Sequence, residues 1–85
     1  MPIISRFFGI AIAMYWNDHN PPHFHAKYGD YEVIISIEDG VIEGKFPPRA
    51  LQLLLEWLNI HKSELLENWQ KAKNGEPLLN IKPLE

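Results

Sequence analysis

The stretch His23-Phe24-His25-Ala26-Lys27-Tyr28-Gly29-Asp30-Tyr31-Glu32-Val33-Ile34-Ile35-Ser36-Ile37-Glu38-Asp39-Gly40-Val41-Ile42-Glu43-Gly44-Lys45-Phe46 decides the fold. Apolar and polar side chains alternate along it, the pattern of strands with one buried and one open face. Gly29-Asp30 and Asp39-Gly40 interrupt it as two-residue hairpin loops, with glycine where a positive φ is required. Strands are therefore expected at about 23–28, 31–38 and 41–46. The first loop sets Lys27 opposite Glu32, His25 opposite Ile34 and His23 opposite Ser36. The second is expected to set Ser36 opposite Glu43 and Ile34 opposite Lys45. One face then collects Phe24, Ala26, Tyr28, Tyr31, Val33, Ile35, Ile37, Ile42 and Phe46 as the expected core. The other collects His23, His25, Lys27, Glu32, Ser36, Glu38, Glu43 and Lys45. On this register His23, Ser36 and Glu43 form a row. It has the residue types of a nucleophile–base–carboxylate set, but parallel side chains on neighbouring strands rarely converge as a triad must. A solvated face with cross-strand charge pairs is the simpler reading.

Working outward, Pro47-Pro48 ends the sheet and opens a helix, since proline is tolerated in a first helical turn. Leu51, Leu54, Leu55 and Leu58 form one apolar stripe, and Leu65, Leu66, Trp69 and Ala72 a second. Between them Asn59-Ile60-His61-Lys62-Ser63 is poorer in helix formers. This predicts two helices, about 48–60 and 63–74, or one helix kinked near 59–63. His61 reads as a boundary residue and not as a ligand. Asn74-Gly75 and Pro77 stop the helix, and the tail from Leu78 to Leu84 is apolar enough to dock. Towards the N-terminus, residues 7–16 read as one strand, apolar on both faces. Ile10, Ile12, Met14 and Trp16 share one side of it and are candidates for a partner-binding surface. The fold class is thus α+β: a four-stranded antiparallel meander followed by helix, in a single domain over residues 1–85.

The connection Asn17-Asp18-His19-Asn20-Pro21-Pro22 carries the chemistry. Two prolines stiffen it. Together with His23 and His25 it gathers three of the four histidines. The spacing of two puts the His23 and His25 imidazoles on one strand face, and His19 lies across the rigid corner. His19, His23 and His25, with Asp18, are a candidate site for Zn, Ni or Cu. The same three histidines are candidate acid–base groups. The plainer alternative is a tight turn bonded by Asp18 and Asn20. No cysteine supports a metal signature or a disulfide framework.

A net charge of −3 argues against a general electrostatic grip on nucleic acid. Arg6, Lys27, Lys45 and Arg49 are the candidate phosphate contacts if a local patch exists. The apolar run 7–14 has one preceding basic residue, lacks a small-residue cleavage site, and is too short to cross a bilayer. A cytoplasmic setting without membrane contact is the expectation.

Met1-Pro2, Ile4-Ser5-Arg6-Phe7-Phe8-Gly9-Ile10, the block Asp18-His19-Asn20-Pro21-Pro22-His23-Phe24-His25, Glu67-Asn68-Trp69 and Asn74-Gly75-Glu76-Pro77-Leu78 resemble the bacterial family called domain of unknown function 4160. That family has no established activity. The resemblance implies a small protein often encoded beside a second one, an arrangement that has suggested toxin–antitoxin pairs. The expected function is accordingly a protein–protein interaction module, with a neighbouring small protein or a second copy as partner. Its most concrete form is a component of a toxin–antitoxin-like pair, in one version acting on RNA. The alternative is a histidine-based transition-metal protein. Whether the chain is an enzyme stays open.

Overall fold

A computed structural model describes residues 2–85. Five strands precede one helix: β1 (Ile3–Phe7), β2 (Ile10–Ala13), β3 (His23–Tyr28), β4 (Tyr31–Ser36), β5 (Ile42–Lys45) and α1 (Pro48–Lys73). The strands form one antiparallel meander in chain order. Among the described residues, no helix is long and apolar enough to cross a membrane.

The expected strand at 7–16 is a hairpin. Phe7 pairs with Ile10 across Phe8-Gly9, whose φ values are 48° and 82°. Both residues are left-handed, as a type I′ turn requires. An aromatic residue in that conformation is unusual, so unbroken hydrophobicity concealed the turn and Gly9 was its one local sign. The sheet therefore gains a fifth strand, and the meander starts at Ile3.

This hairpin overturns the apolar docking surface expected on the N-terminal run. Ile10, Ile12 and Met14 are at most 1% exposed and belong to the core. Trp16 alone of that group stays partly exposed, and its indole N–H donates to the Glu76 carbonyl at 2.9 Å.

The first loop behaves as its sequence predicts, pairing Tyr28 with Tyr31, Lys27 with Glu32 and His23 with Ser36. The second does not. The Ser36 N–H donates to the Val41 carbonyl and the Gly40 N–H to the Ser36 carbonyl, each at 2.9 Å, so four residues form the loop. Ile37 leaves the ladder, bonds the Pro22 carbonyl at 2.9 Å and is buried. The pairing moves by two residues: Glu43 faces Ile34 and Lys45 faces Glu32. Burying Ile37 outweighs the short-loop preference of Asp39-Gly40. The expected row of His23, Ser36 and Glu43 does not exist. Gly44 in β5 has φ 109°, and a Cβ there would run into the Glu32 backbone oxygen.

A single helix replaces the two-helix alternative, and it kinks where the leucine stripes change. His61 has φ −110° and ψ 21° inside α1. Its ring lies 5.6 Å from that of Trp57, and its Nδ1 is 2.6 Å from Glu64 Oε1. This contact lies within the kink, and His61 is buried rather than at a boundary. Leu54, Trp57, Leu58, Leu65, Trp69 and Ala72 pack with β1–β4 residues into one core. The tail closes it. The Ile81 N–H donates to the Ile4 carbonyl at 2.8 Å, covering the β1 edge. Buried Asn68 accepts from the Leu79 N–H and donates to the Leu79 carbonyl, at 3.0 and 2.8 Å.

Candidate metal centre

Alternation along β3 sends Phe24 and Ala26 into the core and puts His23 and His25 on the opposite face of the sheet, where His23 is buried and His25 partly so. The loop from β2 returns across that end of the sheet. Asn17 accepts φ 57° in it, as asparagine does more readily than most residues. The Asn20–Pro21 bond is cis. The loop sets the Asp18 carboxylate over the two histidines. Asp18 Oδ2 lies 2.9 Å from His23 Nε2 and 3.6 Å from His25 Nε2. One donor atom from each of Asp18, His23 and His25 lies within 4.8 Å of the others.

His23 is held on two sides. Its ring centroid is 5.1 Å from that of Trp69, and its Nδ1 is 2.8 Å from the Pro21 carbonyl. A carbonyl only accepts, so Nδ1 carries the proton and donates. In the neutral ring Nε2 is then a lone pair aimed at a carboxylate. Two acceptors at 2.9 Å repel unless a proton or a cation lies between them. His25 is stranger still. Among the described residues, neither of its buried ring nitrogens has a hydrogen-bond partner. Its neighbours are Glu32 Oε2 at 3.6 Å from Nδ1 and the edge-on Tyr15 ring at 4.7 Å. Buried polar groups are seldom left in that state.

His19 stands apart. Its side chain is 86% exposed, and its Nδ1 and backbone N–H approach Asp18 Oδ1 at 3.1 and 2.9 Å. It thus touches the oxygen that faces away from His23, so the expected trio of imidazoles becomes a pair with a carboxylate. Asp18 moves from a supporting role to the centre. Glu32 and Tyr15, beside His25, escaped the sequence reading; the Lys27–Glu32 pairing placed Glu32 one step diagonally from His25 and was the available sign. Nothing local marked Trp69, which reaches His23 from the far end of α1.

The group opens into a cleft of about 330 Å³ whose other side carries Ile34, Ser36, Asp39, Val41 and Glu43. Among the described residues, its lining holds no lysine or arginine. The four candidate phosphate contacts lie elsewhere. Arg6, Lys27 and Lys45 share one row across the sheet, with Ala11 and Glu32 between them, and Arg49 is in the first turn of α1.

The family model described as Domain of unknown function (DUF4160) matches residues 9–70, which include the whole cleft. The chain belongs to the DUF4160 family. No curated protein and no solved structure matches it. The DUF4160 match covers the Asp18–His25 block and both turns that shape the cleft, and it carries no activity with it.

Burial pushes the Asp18 carboxyl up. The His19 backbone N–H, the charge and hydrogen bond of His23, and the His25 ring outweigh that push and hold it below the ordinary carboxylate value. A carboxyl depressed in the folded state adds stability that is complete above its unfolded value, ~3.9, and is lost as pH falls through the folded value. Metal-free protein is therefore expected to lose this contribution only on acidification below about pH 4. Asp18→Asn flattens that part of the curve. Urea unfolding across pH 2–7 measures it, and parallel wild-type and variant curves count against the assignment.

Proposed function

We propose that the chain binds a divalent transition metal through Asp18 Oδ2, His23 Nε2 and His25 Nε2, and presents it to the cleft. The observation that carries this reading is His25, an imidazole buried at both nitrogens with no partner, aimed at the carboxylate that His23 also faces. A metal ion answers both anomalies together. It takes the lone pairs that otherwise oppose the carboxylate. The Pro21 carbonyl behind His23 and the Glu32 carboxylate behind His25 then orient the rings, as acceptors behind ligating histidines do. Two imidazoles and one carboxylate suit Zn²⁺, Ni²⁺ and Cu²⁺, and also Fe²⁺. Three protein ligands leave a position for water or a small ligand on the cleft side, the arrangement of reactive rather than purely structural sites. At such a position a bound water loses a proton more readily.

Elemental analysis of protein purified without a histidine tag, followed by titration with Zn²⁺, tests the proposal. About one metal per chain is expected, and His23→Ala with His25→Ala is expected to weaken binding by at least ~100-fold. Unchanged affinity in the double variant rejects the site.

A second reading follows the gene pairing attributed to the family: one component of a toxin–antitoxin-like pair in the cytoplasm, with RNA as its target. The row of Arg6, Lys27 and Lys45 on the open face favours a polyanion there. The acidic cleft does not, because Asp18, Asp39 and Glu43 would repel phosphate beside the histidines. Induction of the chain alone and with its neighbour separates the readings; growth arrest relieved by the neighbour supports the pair, and no effect in either case removes it.

A further inference from the structure

The two edges of the sheet are treated differently. The tail covers β1, through the Ile81 N–H on the Ile4 carbonyl. Among the described residues, β5 has β4 as its one neighbouring strand, and all four of its residues are exposed. An open edge is a template for another strand. We propose that β5 joins β5 of a second copy, antiparallel about a two-fold axis at Gly44, making one continuous sheet across a homodimer.

The backbone selects the register. The Ser36 N–H bonds the Val41 carbonyl. Antiparallel alternation then turns residues 41, 43 and 45 towards β4 and leaves the N–H and C=O groups of 42, 44 and 46 facing outward. With Gly44 opposite Gly44, Ile42 lies opposite Phe46 of the second copy, and these outward groups meet as hydrogen-bonded pairs. Glu43 then lies opposite Lys45 of the second copy, and Lys45 opposite its Glu43. A two-fold interface requires each contact to occur twice, and here both copies of the charge pair are attractive. Centring on residue 43 or 45 sets like charges against each other and calls on backbone groups that β4 already uses.

The apolar side of the seam agrees. Tyr31 is 49% exposed and Ile42 36%. With Phe46, Pro47 and Leu51 they line a groove of about 460 Å³ along this edge. In the proposed register Phe46 and Ile42 of the second copy lie along it. Glu43 also lines the cleft of the candidate centre, so Lys45 of the second copy brings a cation to a wall that otherwise has none. The dimer does not depend on whether a metal binds.

Sedimentation of the full chain in the presence of a chelator tests this. Wild type is expected to reach a dimer as concentration rises. Lys45→Glu alone and Glu43→Lys alone each create like-charge pairs and are expected to weaken dimerisation by roughly tenfold or more. Combining the two substitutions restores opposite charges and is expected to recover the dimer. These side chains are exposed, and circular dichroism is the check that each variant folds. A monomer at every concentration, an assembly as tight in Lys45→Glu as in wild type, or no recovery in the combined variant overturns the proposal.

Discussion

Trp57→Ala is expected to destabilise the protein by about 3–5 kcal/mol. Trp57 is fully buried, and its ring is 5.3 Å from Phe7, 5.8 Å from Phe24 and 5.6 Å from His61. It therefore joins β1, β3 and the helix kink. Its indole N–H also donates to the Lys82 carbonyl at 2.9 Å and pins the tail. Alanine leaves a cavity at the centre of a thin core and releases the strap over the β1 edge. A small domain of this kind holds about 5–15 kcal/mol in total, so the loss takes a large share of it. The melting temperature is expected to fall by well over ~10 °C. Trp57→Phe keeps the aromatic contacts, loses the tail bond, and is expected to cost less. Urea unfolding followed by the remaining tryptophans measures both. A cost below about 1 kcal/mol for alanine would place the core elsewhere.

Asp18→Asn is expected to abolish most metal-induced stabilisation while leaving the metal-free fold in place. The amide keeps an oxygen for the His19 backbone N–H, now at 2.9 Å from Asp18 Oδ1. It loses the charge that faces His23 Nε2 at 2.9 Å and His25 Nε2 at 3.6 Å. A ligand that binds only the folded state at a hundred times its dissociation constant stabilises by about 2.7 kcal/mol. A hundredfold weaker site at the same metal concentration gives about 0.4 kcal/mol. For a domain of this size the first corresponds to a rise of roughly 10–20 °C and the second to a few degrees. Thermal melts of both proteins with and without Zn²⁺ read this directly. An equal rise in the variant would remove Asp18 from the site.

The histidines separate what local pattern can tell from what it cannot. Their spacing put His23 and His25 on one face, and the Gly29-Asp30 loop set what lies across from them, because side-chain alternation and a two-residue turn are local constraints. The role of Asp18 was only half visible. Its position over the rings depends on how the 14–22 loop crosses the sheet, which is settled by Trp69 packing on His23 and by Pro22 bonding Ile37. His19 lay as close in sequence and ends in solvent.

From its residues alone the chain declared an α+β class, the 23–36 hairpin with its register, a leucine-striped helix interrupted near residue 61, and an imidazole-rich corner. Each of these rests on periodicity, turn chemistry or proline stiffness, which act over a few residues. Packing alone decided the others. The Phe8-Gly9 turn, the two-residue shift at β5 and the burial of Ile10, Ile12 and Met14 all follow from one core claiming Ile37 and the N-terminal strands. That core is assembled from residues far apart in the chain, and burial of its apolar surface overrides the local preferences of the segments that supply it.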